Sequence, residues 1–316
     1  MASLAFPSMA KKATLSDGTL YGYVAHPSSR AGGITSLLLH GYPSSCYDWR
    51  HQIKRLSAAG YGVIAPDLLG YGDTDKPTDQ TSYRLNSMSF HMAEILDIEN
   101  VERCVALGHD WGCGLLSRLV TYIPDRLVGI VPTSVGYIQP GMDWDIDVFN
   151  AHTEDLFGYP TYGYWPWHNT DDAVGDCDEH LQFLHSSMQP IQRTGKSIWL
   201  LEAPQLKEYT IRDRILAQGY RGPMNWYKAA MRGVNRIDEA EVPEADRRCH
   251  LPTLLIVGEK DYVTKADVNI AVTKRWAHDL RVENFDSGYW VQLERPDELH
   301  RVLEDFALEL TSRLSS

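Results

Sequence analysis

The side chain with most chemistry to offer sits in Gly108-His109-Asp110-Trp111-Gly112. This stretch follows an apolar run and opens a helix-like segment, the setting of a nucleophile elbow. Its glycines permit a sharp turn without a Cβ clash and lift the central residue above a sheet edge. That residue is Asp110, and a carboxylate attacks an sp³ carbon without a base to activate it, leaving an alkyl ester. Alone, the stretch reads equally well as a Gly-rich turn with a solvated aspartate. His40-Gly41-Tyr42-Pro43 ends another apolar run, and the backbone amides of Tyr42 and Trp111 would form the oxyanion hole of such an elbow. The plain alternative there is a turn punctuated by Pro43. Asp67–Pro77, DLLGYGDTDKP, reads as a turn-rich loop. Asp261 in GEKDYV falls just past a strand end, where an isolated aspartate is ordinarily solvated.

The elements that must position these residues alternate. Ser36–His40, Tyr61–Pro66, Cys104–Gly108 and Leu127–Pro132 read as buried strands, with helices over Trp49–Ala59, Asn86–Asp97 and Cys113–Ile123 between them. Continuous β-branched and leucine runs separated by helices predict a parallel sheet covered on both faces. The pattern breaks after Tyr137. From Gln139 to Arg247 the chain is rich in Trp, Tyr, Pro and His, with helical periodicity and no clear strand. Alternation resumes at Thr253–Asp261 and Leu280–Phe285. The simplest account is one α/β core, residues 1–138 and 248–316, interrupted by a helical insertion at 139–247.

Composition narrows the partners. The 316 residues carry a formal net charge of −12, which repels phosphate backbones and anionic lipid, so nucleic acid is not expected. No run approaches the ~20 apolar residues of a membrane span. Five scattered cysteines without a Cys-x-x-Cys pair argue against a disulfide framework or zinc site and for a reducing compartment. The N-terminus has no basic region before its short apolar run, so a cytoplasmic protein is expected, with neither metal nor cofactor. A homodimer is compatible with the sequence but not required by it.

Six motifs, HGYP, GYGDTDKP, GHDWG, RGPMNWY, GEKDYV and SGYWVQLERPDEL, stand in one order along the chain. In that order the sequence resembles the α/β-hydrolase-fold epoxide hydrolases from about residue 15 to the C-terminus. The resemblance implies a mostly parallel sheet flanked by helices, with the insertion forming a helical cap. It implies that Asp110 is the nucleophile and that Asp261 is the acid that orients a histidine. Tyr227, closing RGPMNWY, matches one of two cap tyrosines that hydrogen-bond an epoxide oxygen. The second is assigned to Tyr164, with Tyr162 and Tyr159 close by. A phenol of pKa about 10 stays protonated at neutral pH and stabilises the alkoxide as the ring opens. His40, Pro43, Trp165, Trp226 and Trp290 are expected to line the substrate pocket. Five of the nine tryptophans (Trp144, Trp165, Trp167, Trp199, Trp226) fall in the insertion, which suggests a hydrophobic small-molecule epoxide, although cap packing would use them too.

One position departs. The family's last motif is S-G-H-W, and its histidine activates the water that cleaves the ester; here Tyr289 stands in its place. A tyrosine is a poor base at neutral pH, and base assistance is worth ~10²–10⁴ in rate. Other histidines are poor substitutes by position. His109 should point away from Asp110, His40 belongs to the oxyanion loop, and His278 and His300 lie far along the chain. His152, His168, His180 and His185 are expected at the surface of the insertion. Three outcomes follow: an engineered variant arrested at the ester, a natural ring-opening enzyme whose ring closes on an internal hydroxyl, or a hydrolase with another base. Two alternatives stand beside them. A haloalkane dehalogenase shares the aspartate elbow but needs a halide donor, such as an asparagine, where this chain has Tyr42. A ligand-binding receptor would keep the fold but has no need of a buried nucleophile.

Overall fold

A computed structural model describes residues 1–30, 33–179 and 219–315. Among them, eight strands form one sheet: β1 (Ala10–Thr14), β2 (Leu20–His26), β3 (Thr35–Leu39), β4 (Gly62–Pro66), β5 (Cys104–His109), β6 (Leu127–Thr133), β7 (Thr253–Gly258) and β8 (Leu280–Phe285). Their order is β1-β2-β4-β3-β5-β6-β7-β8, antiparallel at β1·β2 and β2·β4 and parallel elsewhere. Every residue of β3, β4, β5 and β7 is buried, as a sheet covered on both faces requires. Edge strand β1 instead exposes Lys11 and Lys12, which discourages pairing with another chain.

The core helices are α1 (Ala2–Ala5), α2 (Arg50–Ala58), α3 (Leu85–Ile98) and α4 (Trp111–Tyr122). Met88, Met92, Ile95 and Leu96 give α3 the stripe that seats it on the sheet. Helix α4 is buried from Trp111 through Val120. After β6 the chain leaves the sheet and returns at β7. Between them the described residues form no strand but the helices α5 (Ile146–Phe157), α6 (Trp165–His168), α7 (Asp172–Glu179), α8 (Arg221–Met231) and α9 (Arg236–Ala240). The last three described helices are α10 (Ala266–Trp276), α11 (Val291–Glu294) and α12 (Pro296–Ser315). No described helix is long and apolar enough to cross a membrane.

The register places the site. Leu39 of β3 pairs with Gly108 of β5, so the segments that leave these two strands start side by side. From there β3 connects to β4 on one side and β5 to β6 on the other. This reversal opens a crevice at the strands' carboxyl ends, where ligands of such sheets bind. Two sequence expectations are corrected. The Thr253–Asp261 strand ends at Gly258, because Asp261 N–H turns back to the Gly258 carbonyl. The Ser36–His40 strand lies one residue earlier, at Thr35–Leu39. The β1–β2 hairpin was not read from sequence, since β1 has no buried run to mark it. Trp199, His180 and His185 lie outside the described residues.

Candidate active site

Asp110 stands between β5 and α4 with φ 56° and ψ −126°, a region that a side chain enters only under strain. The glycines of GHDWG make the turn fit: a Cβ on Gly112 would lie 2.2 Å from the Leu39 carbonyl oxygen. Gly41 has the complementary reason, because a Cβ there would lie 2.2 Å from Asp110 Oδ1. The β3 loop can therefore close over the carboxylate, and Tyr42 N–H donates to Oδ1 at 2.6 Å. The Tyr42–Pro43 peptide is cis.

The other carboxylate oxygen is also engaged. Tyr289 donates its hydroxyl proton to Asp110 Oδ2 at 2.5 Å. Burial pushes the Asp110 carboxyl up to about 6, while hydrogen bonds from Tyr289, Tyr42 and Trp111 hold it down. Burial and the Asp110 charge together push the Tyr289 phenol well above its ordinary value. Tyr289 is itself clamped. His109 Nε2 lies 3.0 Å from its carbonyl oxygen and the Ser134 hydroxyl donates to the same oxygen at 2.7 Å. His109 packs against Tyr289 and Trp290, with centroids 4.7 Å from each. Burial drives His109 down to about 3, so it is a neutral donor.

Asp261 follows β7 and is 2% exposed rather than solvated. Its oxygens accept from Val263 N–H (2.8 Å), Thr264 N–H (2.9 Å) and the Thr264 hydroxyl (2.6 Å). Burial raises it to about 6. A phenol has one proton, and that of Tyr289 goes to Asp110, so Asp261 does not receive it.

Aromatic rings from the helical segment close the opposite side. Tyr227 of α8, 1% exposed, packs edge-on against Trp111 at 5.0 Å, Tyr42 at 5.1 Å and Trp165 at 5.1 Å. Tyr164 lies 5.9 Å from it, centroid to centroid. Burial raises both phenols, with the Asp110 charge contributing. Tyr159 instead gives its hydroxyl to the Tyr262 carbonyl at 2.7 Å, and Tyr162 packs on Phe149 and Trp165. Geometry thus pairs Tyr164 with Tyr227. Trp144 stacks on Trp165 at 5.1 Å, completing an apolar wall beside Trp111.

Not every expected pocket residue offers a group to a ligand. His40 is fully buried, its Nδ1 3.0 Å from the Gly41 oxygen and its Nε2 accepting from Leu68 N–H at 2.9 Å. It ties two loops together, and burial keeps it neutral at about 4. Trp226 donates Nε1–H to the Leu69 carbonyl at 2.9 Å. Pro43 is buried in the loop, and Trp290 stacks on His109. The GYGDTDKP loop hangs on Asp67, whose carboxylate accepts from the amides of Ala2, Cys46 and Asp73.

His168 requires a correction: it is not at the surface but 1% exposed. It lies against Tyr227 (4.5 Å), Tyr42 (5.0 Å) and Tyr164 (5.2 Å), and its Nδ1 has no protein partner. Its place three residues after Trp165, on one helix face, is the signal that could have found it. Ser134 had no such signal, since its role arises from a positive φ (65°) just beyond β6.

A family description, the alpha/beta hydrolase fold, matches residues 37–155. Epoxide hydrolase 3 of Siraitia grosvenorii is 42% identical over 309 residues, covering 90% of this chain and 95% of that protein. Bifunctional epoxide hydrolase 2 of Mus musculus is 25% identical over 90% of this chain, which spans only 54% of that longer protein. The solved structure of epoxide hydrolase I from potato (Solanum tuberosum) superposes with a TM-score of 0.73 at 23% identity, covering 95% and 99% of the two chains. That likeness establishes a shared fold.

Proposed function

The chain belongs to the epoxide hydrolase family of the α/β-hydrolase fold, and we propose that it opens the epoxide ring of a hydrophobic small molecule. The observation that carries this reading is the opposition of one carboxylate and two phenols. Asp110 stands at the elbow between β5 and α4, and its charge reaches the phenols of Tyr227 and Tyr164, which lie 5.9 Å apart in the helical segment. In this reading residues 139–247 act as a cap over the site. Tyr227 and Tyr164 donate to the ring oxygen; their raised pKa values keep the protons available until charge develops on it. Asp110 drives the opening. Its Oδ1 accepts from the Tyr42 amide and its carboxylate also from the Trp111 amide, the two donors that an alkyl ester would use as an oxyanion hole.

Attack through Oδ2 would give that ester, and no histidine stands at position 289 to clear it. The ring-opening reading rests on the carboxylate and the phenols, whichever atom finally bonds to carbon. Its test is consumption of aryl and alkyl epoxides by the purified protein. Loss of substrate that disappears in Asp110→Asn and Tyr227→Phe supports the reading. Bromide release from bromoalkanes with epoxides untouched would favour a dehalogenase, and tight binding without consumption would favour a receptor.

A further inference from the structure

The ring-opening reading leaves one question, and this inference rests on that reading: which atom replaces the epoxide oxygen on carbon. Both oxygens of Asp110 are occupied, Oδ1 by the Tyr42 amide and Oδ2 by the Tyr289 hydroxyl. To attack carbon, Oδ2 must first lose a charge-assisted hydrogen bond, the stronger kind. To accept a proton it need lose nothing, because the proton already shared with Tyr289 only has to move along that bond. The contact therefore suits a base better than a nucleophile.

Among the described residues, water activation is poorly provided for. The phenol at 289 has no basic nitrogen. His168 packs on Tyr227, Tyr42 and Tyr164 and is kept neutral by burial, and the two histidines on the strand ends are committed elsewhere. His40 binds Gly41 and Leu68, and His109 holds the Tyr289 carbonyl. Tyr227 is surrounded by the rings of Trp111, Trp165 and His168, with Trp144 stacked on Trp165, surroundings that favour an apolar chain over water. An intramolecular group held there has a large effective concentration over solvent.

We propose that Asp110 and Tyr289 form a base dyad acting on a hydroxyl of the substrate, and that the protein isomerises an apolar hydroxy-epoxide to a cyclic ether. The substrate hydroxyl gives its proton to Tyr289 oxygen as the Tyr289 proton passes to Asp110 Oδ2. The freed oxygen forms a C–O bond to a ring carbon, and that carbon's bond to the epoxide oxygen breaks. The epoxide oxygen takes a proton from Tyr227, supported by Tyr164. One C–O bond forms and one breaks, no water is consumed, and product and substrate share one formula. The proton on Asp110 makes good the one that Tyr227 gave, carried by solvent as product leaves. The reaction that supplies the substrate must then be an oxygenation that epoxidises an alkenyl alcohol.

The test compares 5-phenyl-4,5-epoxypentan-1-ol with hydroxyl-free 1-phenyl-1,2-epoxypentane in ¹⁸O-water, reading products and intact protein mass. The expected result is an ¹⁸O-free isomer from the hydroxy-epoxide, consumption of the hydroxyl-free compound slower by about 10² or more, and no protein adduct. Tyr289→Phe should slow isomerisation while leaving the melting temperature near wild type. A stable adduct on Asp110, or ¹⁸O-labelled diol from both compounds, would overturn the dyad and leave ring opening standing. If neither compound is consumed, the dyad and the ring-opening reading fall together.

Discussion

Tyr289 gives its only proton to Asp110 Oδ2, at 2.5 Å, and not to Asp261. That contact couples the residue at the family's histidine position directly to the elbow carboxylate. Asp261 is left with its own loop amides and the Thr264 hydroxyl.

The contact sets a pH dependence. Asp110 must be ionised to act, and its pKa of about 6 is held down by the Tyr289 hydroxyl. Epoxide consumption should therefore fall as pH drops through about 6. In Tyr289→Phe the donor is gone, so the midpoint should move to higher pH. An unmoved or lowered midpoint in the rate–pH profile would break the link between the two residues.

The two phenols should divide unequally. Tyr227→Phe removes a buried donor and should lower kcat for ring opening by ~10²–10⁴ with little change in KM. Tyr164, less buried than Tyr227, should cost less. Equal and small losses would assign both rings to packing.

Much of this arrangement was legible in the sequence. The apolar runs gave the parallel strands, because a strand buried on both faces must be continuously apolar. Gly108 and Gly112 announced a sharp turn, and the glycine contacts explain why. The residues that escaped are those whose role depends on tertiary placement. His168 looked like one polar residue in a mixed segment, and it is packing on Tyr227, Tyr42 and Tyr164 that buries it. Ser134 was an ordinary serine after a strand until its hydroxyl met the Tyr289 carbonyl across 155 positions. Asp261 read as solvated when taken alone, and the family resemblance, not its neighbours, pointed to the site.

Asp261 should weigh on stability. Its folded pKa, about 6, lies above the ordinary carboxyl value of 3.8. The unfolded chain therefore releases this proton first, and the folded state pays a penalty that is absent near pH 4 and complete above pH 6. The size approaches about 3 kcal/mol, to order of magnitude. Asp261→Asn should accordingly gain thermal stability relative to wild type on going from pH 4 to pH 8. A pH-independent difference in melting temperature would refute the burial penalty.

Ser134 should act through Tyr289. Ser134→Ala removes one of two contacts on the Tyr289 carbonyl and leaves that of His109. The stability cost should be about 1 kcal/mol, whereas ring opening should drop and its pH midpoint should shift in the direction of Tyr289→Phe. A stability loss with an unchanged pH profile would make Ser134 merely structural.

The central claim is that Tyr289 withholds water from the reaction, and a single exchange addresses it. Wild type and Tyr289→His should be given styrene oxide in ¹⁸O-water, with labelled diol measured against time. The histidine variant should release ¹⁸O-diol at least ~10² faster than wild type. Equal diol release by the two proteins would contradict it.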